Sequence, residues 1–173
     1  MSAVLLVLAT SIVAVQRLLE LRYSRRNERR LRAKGAVERA AKHYPVMVTI
    51  HVGWLVSTVV EGLLRGPEIP PWWPVPLLLF LAAQPLRYWV LLSLREKWST
   101  RILVVPGARL VRRGPYRLIN HPNYLVVVVE ILTFPLVFGA WITALAFSLF
   151  NAGILYVRIR EENRALSELA SRG

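Results

Sequence analysis

The sequence predicts an all-α integral membrane protein of about five transmembrane helices, closed by a C-terminal helical hairpin and carrying a long cytosolic loop. Three observations predict it. Hydrophobic residues make up 55% of the 173-residue chain, yet its formal net charge is +13. That combination requires charged and apolar residues to be segregated along the chain, since a soluble domain needs less apolar content to fill its core. Five apolar segments approach the roughly 20 residues that cross a bilayer. The connections between them alternate between basic and nearly uncharged, as the positive-inside rule asks of successive spans.

The first span covers residues 1–21. No Lys or Arg precedes its apolar run, so it lacks the charged start of a cleaved signal peptide. Residues 22–43 hold Arg22, Arg25, Arg26, Arg29, Arg30, Arg32, Lys34, Arg39 and Lys42 and read as a cytosolic loop. The second span, 44–64, and the third, 75–94, flank a connection whose one basic residue is Arg65. Residues 95–123 form the second cytosolic loop, with Arg95, Lys97, Arg101, Arg109, Arg112, Arg113 and Arg117. Spans 124–138 and 141–156 are nearly continuous and read as a tight hairpin, followed by a cytosolic tail, 157–173, with Arg158, Arg160, Arg164 and Arg172. The whole chain, 1–173, is then one domain with its N-terminus outside and its C-terminus cytoplasmic. Trp72, Trp73 and Trp141 fall at the outer interface, where amphipathic rings are favoured. The segments 77–83 and 125–129 have no polar face, which a helix of a soluble bundle would carry. Arginine dominates the 23 basic residues, with Lys34, Lys42 and Lys97 the lysines, a bias typical of GC-rich bacterial genomes. A bacterial inner membrane is the expected location.

The chain has no cysteine, which excludes disulfides, Cys-based metal sites and a thiol nucleophile. No metal is expected. The topology accounts for the Arg-rich 22–43 stretch, so no nucleic-acid partner is expected either; the partners are membrane lipid and a lipophilic small molecule.

Ionisable groups inside a span are costly and draw attention to function. Here they are Arg17 and Glu20 in the first span, His51 and Glu61 in the second, Arg87 in the third and Glu130 in the fourth, with Gln16, Gln84 and Asn151 beside them. Pairing between spans, such as Arg17 or Arg87 with Glu130, is the plainer reading. Pro85 follows Gln84 and removes a backbone donor from the third span.

The loop of 95–123 is rich in turn formers: Pro106-Gly107, Gly114-Pro115-Tyr116 and His121-Pro122-Asn123-Tyr124. Such clusters give an ordered, non-helical segment, and long loops in compact domains are often functional. Pro122 suits the first turn of the fourth span, where its missing N–H costs nothing. At the far end of the hairpin lies Arg158-Ile159-Arg160-Glu161-Glu162. A two-helix hairpin returns to the face it left, so His121 and Glu162 should be neighbours. Arg158 and Glu162, four apart, share a helix face.

Gly114-Pro115-Tyr116 followed by Asn120-His121-Pro122-Asn123-Tyr124 resembles the Gly-x-Tyr…Arg-His-Pro-x-Tyr motif of the isoprenylcysteine carboxyl methyltransferase family, with Asn120 where Arg is usual. Arg158…Glu161-Glu162 is similar to the family's second signature. In the N-terminal half, Gln16-Arg17-Leu18…Glu20 and Arg26-Asn27-Glu28 resemble a small bacterial branch associated with type III polyketide synthases, which methylates alkylpyrones or alkylresorcinols. The resemblance implies an enzyme that uses S-adenosylmethionine to methylate an oxygen of a lipophilic acceptor, a carboxylate or a phenol. By the same carry-over Tyr116, His121, Pro122 and Tyr124 line the cofactor site and Asn123 contributes its backbone. Glu162 holds a polar end of the cofactor, and Arg158 faces the acceptor. Two other enzyme classes stay open: a phospholipid N-methyltransferase with the same donor, and an NADPH-dependent membrane reductase of related fold.

Overall fold

The computed structural model describes residues 2–66, 69–108 and 111–170. Met1, Arg109 and Arg172, which enter the sequence reading above, lie outside the described residues. Five α-helices follow in order: α1 Ser2–Ala33, α2 His43–Leu64, α3 Pro74–Leu94, α4 Pro122–Val137 and α5 Trp141–Ala170. Four of them, α1, α2, α3 and α5, are long and apolar enough to cross a membrane. The fold is that of an all-α membrane protein. α4 is apolar but has only 16 residues, about 24 Å of helix at 1.5 Å per residue, against a hydrocarbon core of about 30 Å.

Two helices outrun their apolar segments. α1 continues from the predicted span into the Arg-rich stretch as far as Ala33, so half of the expected loop 22–43 is helix. α5 continues past residue 156 to Ala170, so Arg158 and Glu162 sit on a rigid helix rather than in a tail. Hydropathy locates the part of a helix that suits lipid, whereas Arg, Glu and Ala propagate helix equally well in water. The remainder of each basic loop contributes one short strand. β1 (Val37–Arg39) pairs antiparallel with β2 (Ile102–Val104), with Glu38 opposite Leu103.

Local signals explain the helix ends. Prolines occupy the first turns of α3 and α4. Gly139, at φ +71°, turns the chain between α4 and α5, while the Ala140 N–H closes onto the Pro135 carbonyl. The start of α5 is capped from α2: Glu61 accepts from the Ile142 and Thr143 backbone N–H groups at 3.1 and 2.6 Å, which supplies partners that a helix N-terminus otherwise lacks. α3 runs on through Pro85.

An apolar core of Trp54, Phe80, Ile131, Phe134 and Phe138, joined by Leu6 and Val13, packs α2, α3, α4 and α1 together. Gln16, Arg17, Glu20, Gln84, Arg87 and Glu130, polar residues of three different helices, form a single network. Arg87 grips Glu130 through Nε at 2.9 Å and through Nη2 and reaches Glu20 at 3.0 Å. Arg17 adds ion pairs to Glu20 at 3.1 Å and Glu130 at 3.5 Å. Gln84 donates to Glu130 at 2.8 Å and accepts from Gln16 at 3.0 Å. Two cations face two anions, which is how buried charge is tolerated.

Candidate active site

Gly114-Pro115-Tyr116-Arg117 form a 3₁₀ turn laid against the end of α3. Gly114 has φ +58°, and a Cβ there would stand 2.0 Å from Ser93 Oγ; only glycine meets both demands. Arg113 holds the turn from its other side, Nε donating to the Ser93 carbonyl at 2.7 Å. Asn120 is exposed. His121 then takes the N-cap of α4, with Pro122 and Asn123 in its first turn and Pro122 fully buried.

The hairpin brings the two ends of the expected site together. The Tyr124 hydroxyl donates to Glu162 Oε2 at 2.6 Å. His121 Nδ1 lies 3.7 Å from the same oxygen, and the His121 ring stacks on Tyr124 with centroids 5.4 Å apart. The Arg158 guanidinium sits 6.0 Å from the centre of the Tyr124 ring, at the outer limit of a cation–π contact. It is only 5% exposed; its Nη2 donates to the Thr100 carbonyl at 2.9 Å, and its buried Nε has no partner among the described residues. Burial and the charge of Glu162 both push the Tyr116 phenol above its ordinary value, so Tyr116 is a neutral hydroxyl and not a base.

Of the seven residues singled out in the sequence, His121, Tyr124, Arg158 and Glu162 thus form one contiguous group. Tyr116 lies within electrostatic range of Glu162. Pro122 and Asn123 shape the helix start. Two members of the group have no motif to reveal them. Asn163 Oδ1 lies 3.1 Å from His121 Nε2, a partner that adjacency to Glu162 could have suggested. Thr100 enters through its carbonyl, which no side-chain pattern records. His51, the histidine within a span, turns Nδ1 to the Met47 carbonyl one helical turn back.

A carboxylate, an imidazole, two phenols and a buried guanidinium in one place can hold a ligand that carries both charge signs. Beside them, α2 and α5 diverge around an apolar groove of about 560 Å³, lined by Val46, Ile50 and Gly53 on one side and Phe147, Ile154 and Val157 on the other. Its floor is tight: a Cβ on Gly53 would come within 3.1 Å of the Phe147 ring. Val157, in the groove's lining, is followed in the chain by Arg158.

Comparison with known proteins identifies the family. Residues 76–168 match the model of the isoprenylcysteine carboxyl methyltransferase (ICMT) family. The uncharacterized protein YpbQ of Bacillus subtilis is 44% identical over 93% of this chain and 96% of its own length. An uncharacterized protein of Haemophilus influenzae is 27% identical over 88% of this chain and 90% of its own. No solved structure matches the chain.

Proposed function

The chain belongs to the isoprenylcysteine carboxyl methyltransferase family, a family of membrane methyltransferases, and from that premise we propose that it moves a methyl group from S-adenosylmethionine to an oxygen of a lipophilic acceptor. The observation that carries the reading is the meeting of His121, Tyr124, Arg158 and Glu162 where the two ends of the hairpin close.

The donor set suits this cofactor, whose ends are an ammonium, a carboxylate and a sulfonium. The Glu162 carboxylate, already oriented by the Tyr124 hydroxyl, would receive the ammonium, and the Tyr116 and Tyr124 rings offer flat faces to the remainder. When bound, the cofactor supplies a methyl group that is already activated, so alignment does much of the catalysis. Arg158, charged at any working pH, would hold the acceptor oxygen as an anion through its unpartnered Nε. A carboxylate acceptor needs no base. A phenol, with a pKa near 10, must give up its proton, and His121 is the histidine placed to receive it.

The groove between α2 and α5 supports a long apolar acceptor that reaches Arg158 sideways from the bilayer. Each buried methylene favours that environment by about 0.8 kcal/mol. Resemblance in the N-terminal half favours an alkylpyrone or alkylresorcinol. The N-terminus would lie outside and the site at the cytoplasmic face of a bacterial inner membrane, as the basic loops prescribe.

The test is ligand-induced stabilisation of the purified protein in detergent. S-adenosylhomocysteine should raise the melting temperature, as any ligand specific to the folded state does, and NADPH should leave it unchanged. Isotope-labelled S-adenosylmethionine should then label a long-chain resorcinol far better than its short-chain parent. Stabilisation by NADPH alone would overturn the reading. Labelled amine lipids in place of a labelled oxygen would move the protein to phospholipid N-methylation.

A further inference from the structure

The methyl-transfer motifs all lie between residues 76 and 168, yet the geometry around Arg158 is set from outside that region. We infer that α1 is a working part of the site at one remove: Ser24, acting through Thr100, positions the guanidinium of Arg158. The inference rests on the proposed role of Arg158 toward the acceptor.

Beside its contact with the Tyr124 ring, the Arg158 guanidinium is fixed by its hydrogen bond to the Thr100 carbonyl, so its direction depends in part on where the backbone at Thr100 stands. That backbone is held from α1. The Thr100 N–H donates to Ser24 Oγ at 2.9 Å, and the Thr100 hydroxyl lies 3.0 Å from the same oxygen. Ser24 has a single proton, and it goes to Glu28 Oε1 at 2.6 Å. Its oxygen is therefore left as an acceptor facing Thr100. One helical face of α1 secures the rest of the segment. Asn27 Nδ2 donates to the carbonyls of Arg95 and Trp98 at 3.0 and 2.9 Å. Glu28 accepts from Ser99 at 3.2 Å, and Tyr23 stacks on Trp98.

Two features argue that this grip is specific rather than incidental packing. Ser24 and Asn27 are both 0% exposed, and the Ser24 hydroxyl and the Asn27 amide nitrogen both spend their hydrogen bonds within this contact, as buried donors ordinarily do. Arg95, whose carbonyl Asn27 takes, has φ +50°. A non-glycine residue keeps such a conformation only where its surroundings over-determine it. The segment is thus held where α1 needs it, and Thr100 presents its carbonyl to α5 in consequence.

The experiment replaces Ser24 in the full-length protein and reads Arg158 directly. Phenylglyoxal labelling, resolved by mass spectrometry, compares buried Arg158 with exposed Arg160. In the wild type Arg158 should react at least ~10-fold more slowly. In Ser24→Ala that protection should be largely lost, and exchange of the backbone amide of Thr100 should accelerate on the order of tenfold, while stabilisation by S-adenosylhomocysteine stays the same. Ser24→Cys, which keeps the volume but accepts hydrogen bonds weakly, should behave likewise and replaces the alanine variant if that one does not fold. Ser24→Thr, which keeps the hydroxyl, should restore protection. With a long-chain resorcinol as acceptor, Ser24→Ala should lower kcat by roughly tenfold or more, the scale of a small misplacement, and should add nothing to Arg158→Ala. Full protection of Arg158 in both Ser24→Ala and Ser24→Cys would overturn the inference. Failure of S-adenosylhomocysteine to stabilise the wild type would instead overturn the cofactor reading and leave the labelling result intact.

Discussion

Arg158 is an arginine beyond the apolar part of α5, yet 95% of it is covered, and its Nε has no partner among the described residues. A buried guanidinium donor with no protein partner can bind a ligand oxygen without first giving up another bond. Glu162, one turn further on, is held by Tyr124 instead. Under the proposed function the two charges would have separable tasks. Arg158→Ala should lower turnover by about 100-fold or more, in line with the loss of one donor to a developing or bound anion, with S-adenosylhomocysteine affinity little changed. Glu162→Gln should do the reverse: the dissociation constant for S-adenosylhomocysteine should rise by roughly 10-fold or more, as expected for a lost charge-assisted hydrogen bond. Calorimetry on both variants checks the split, and equal weakening in both would refute separate tasks. Some of this was legible residue by residue. His121 and Glu162 could be paired in advance because a hairpin of two helices must return to its starting face. Thr100 could not, since it acts through its backbone carbonyl, whereas Asn163 had only its place beside Glu162 to suggest it.

The elements show where hydropathy stops being informative. Proline at the first turns of α3 and α4 and glycine between α4 and α5 mark boundaries because each changes what the backbone can do. Gly35, at φ +79°, marks the end of α1 in the same way, but the apolar residues give out well before it, so hydropathy alone stopped short of that helix's end, as it did for α5. The clasp between the two basic loops was equally invisible, since three-residue strands carry almost no pattern. Once formed, β1–β2 is pinned by charge. Glu38 takes an ion pair from Arg101 at 2.5 Å and another from Arg32. Burial alone would raise its carboxyl, but the Arg101 and Arg32 hydrogen bonds outweigh it and hold the group below its ordinary value of 4.5. A carboxyl lowered by folding contributes stability that is fully present above 4.5 and is lost as pH falls through the folded value. Amide exchange in residues 37–39 and 102–104 should therefore accelerate in acid below pH 4.5, relative to the same segments at pH 7 after correction for intrinsic rates. In Glu38→Gln this step should be absent. An unchanged acid response in that variant would assign the effect to other carboxylates.

For the whole molecule the decisive feature is the ionic network that joins α1, α3 and α4. Arg87 is 3% and Glu130 4% exposed, and α4 is too short to anchor itself across a bilayer by length alone. Removing one partner of such a pair strands the other charge. Arg87→Met should cost about 3–5 kcal/mol, read as a large drop in melting temperature in detergent. Arg87→Met combined with Glu130→Gln should recover much of the loss, because no lone charge then remains. Equal loss in the single and double variants would show that the network contributes through shape rather than charge.

By itself the sequence determined that this chain is a helical membrane protein, and it named the residues that gather at the mouth of the hairpin. Apolar runs, basic connections and turn formers are properties of short stretches, and short stretches can be read without knowing what they touch. The sequence offered Glu130 either Arg17 or Arg87; only the tertiary structure decided that Arg87 is its principal partner, that Glu61 caps α5, and that a serine in α1 reaches the segment on which Arg158 rests. Those pairings join residues 43 to 82 positions apart, and nothing in either partner's own neighbourhood distinguishes it from the other polar residues it could have met. Their selection is an energetic matter of the assembled fold, in which each buried polar group must find the one partner that removes its cost of leaving water.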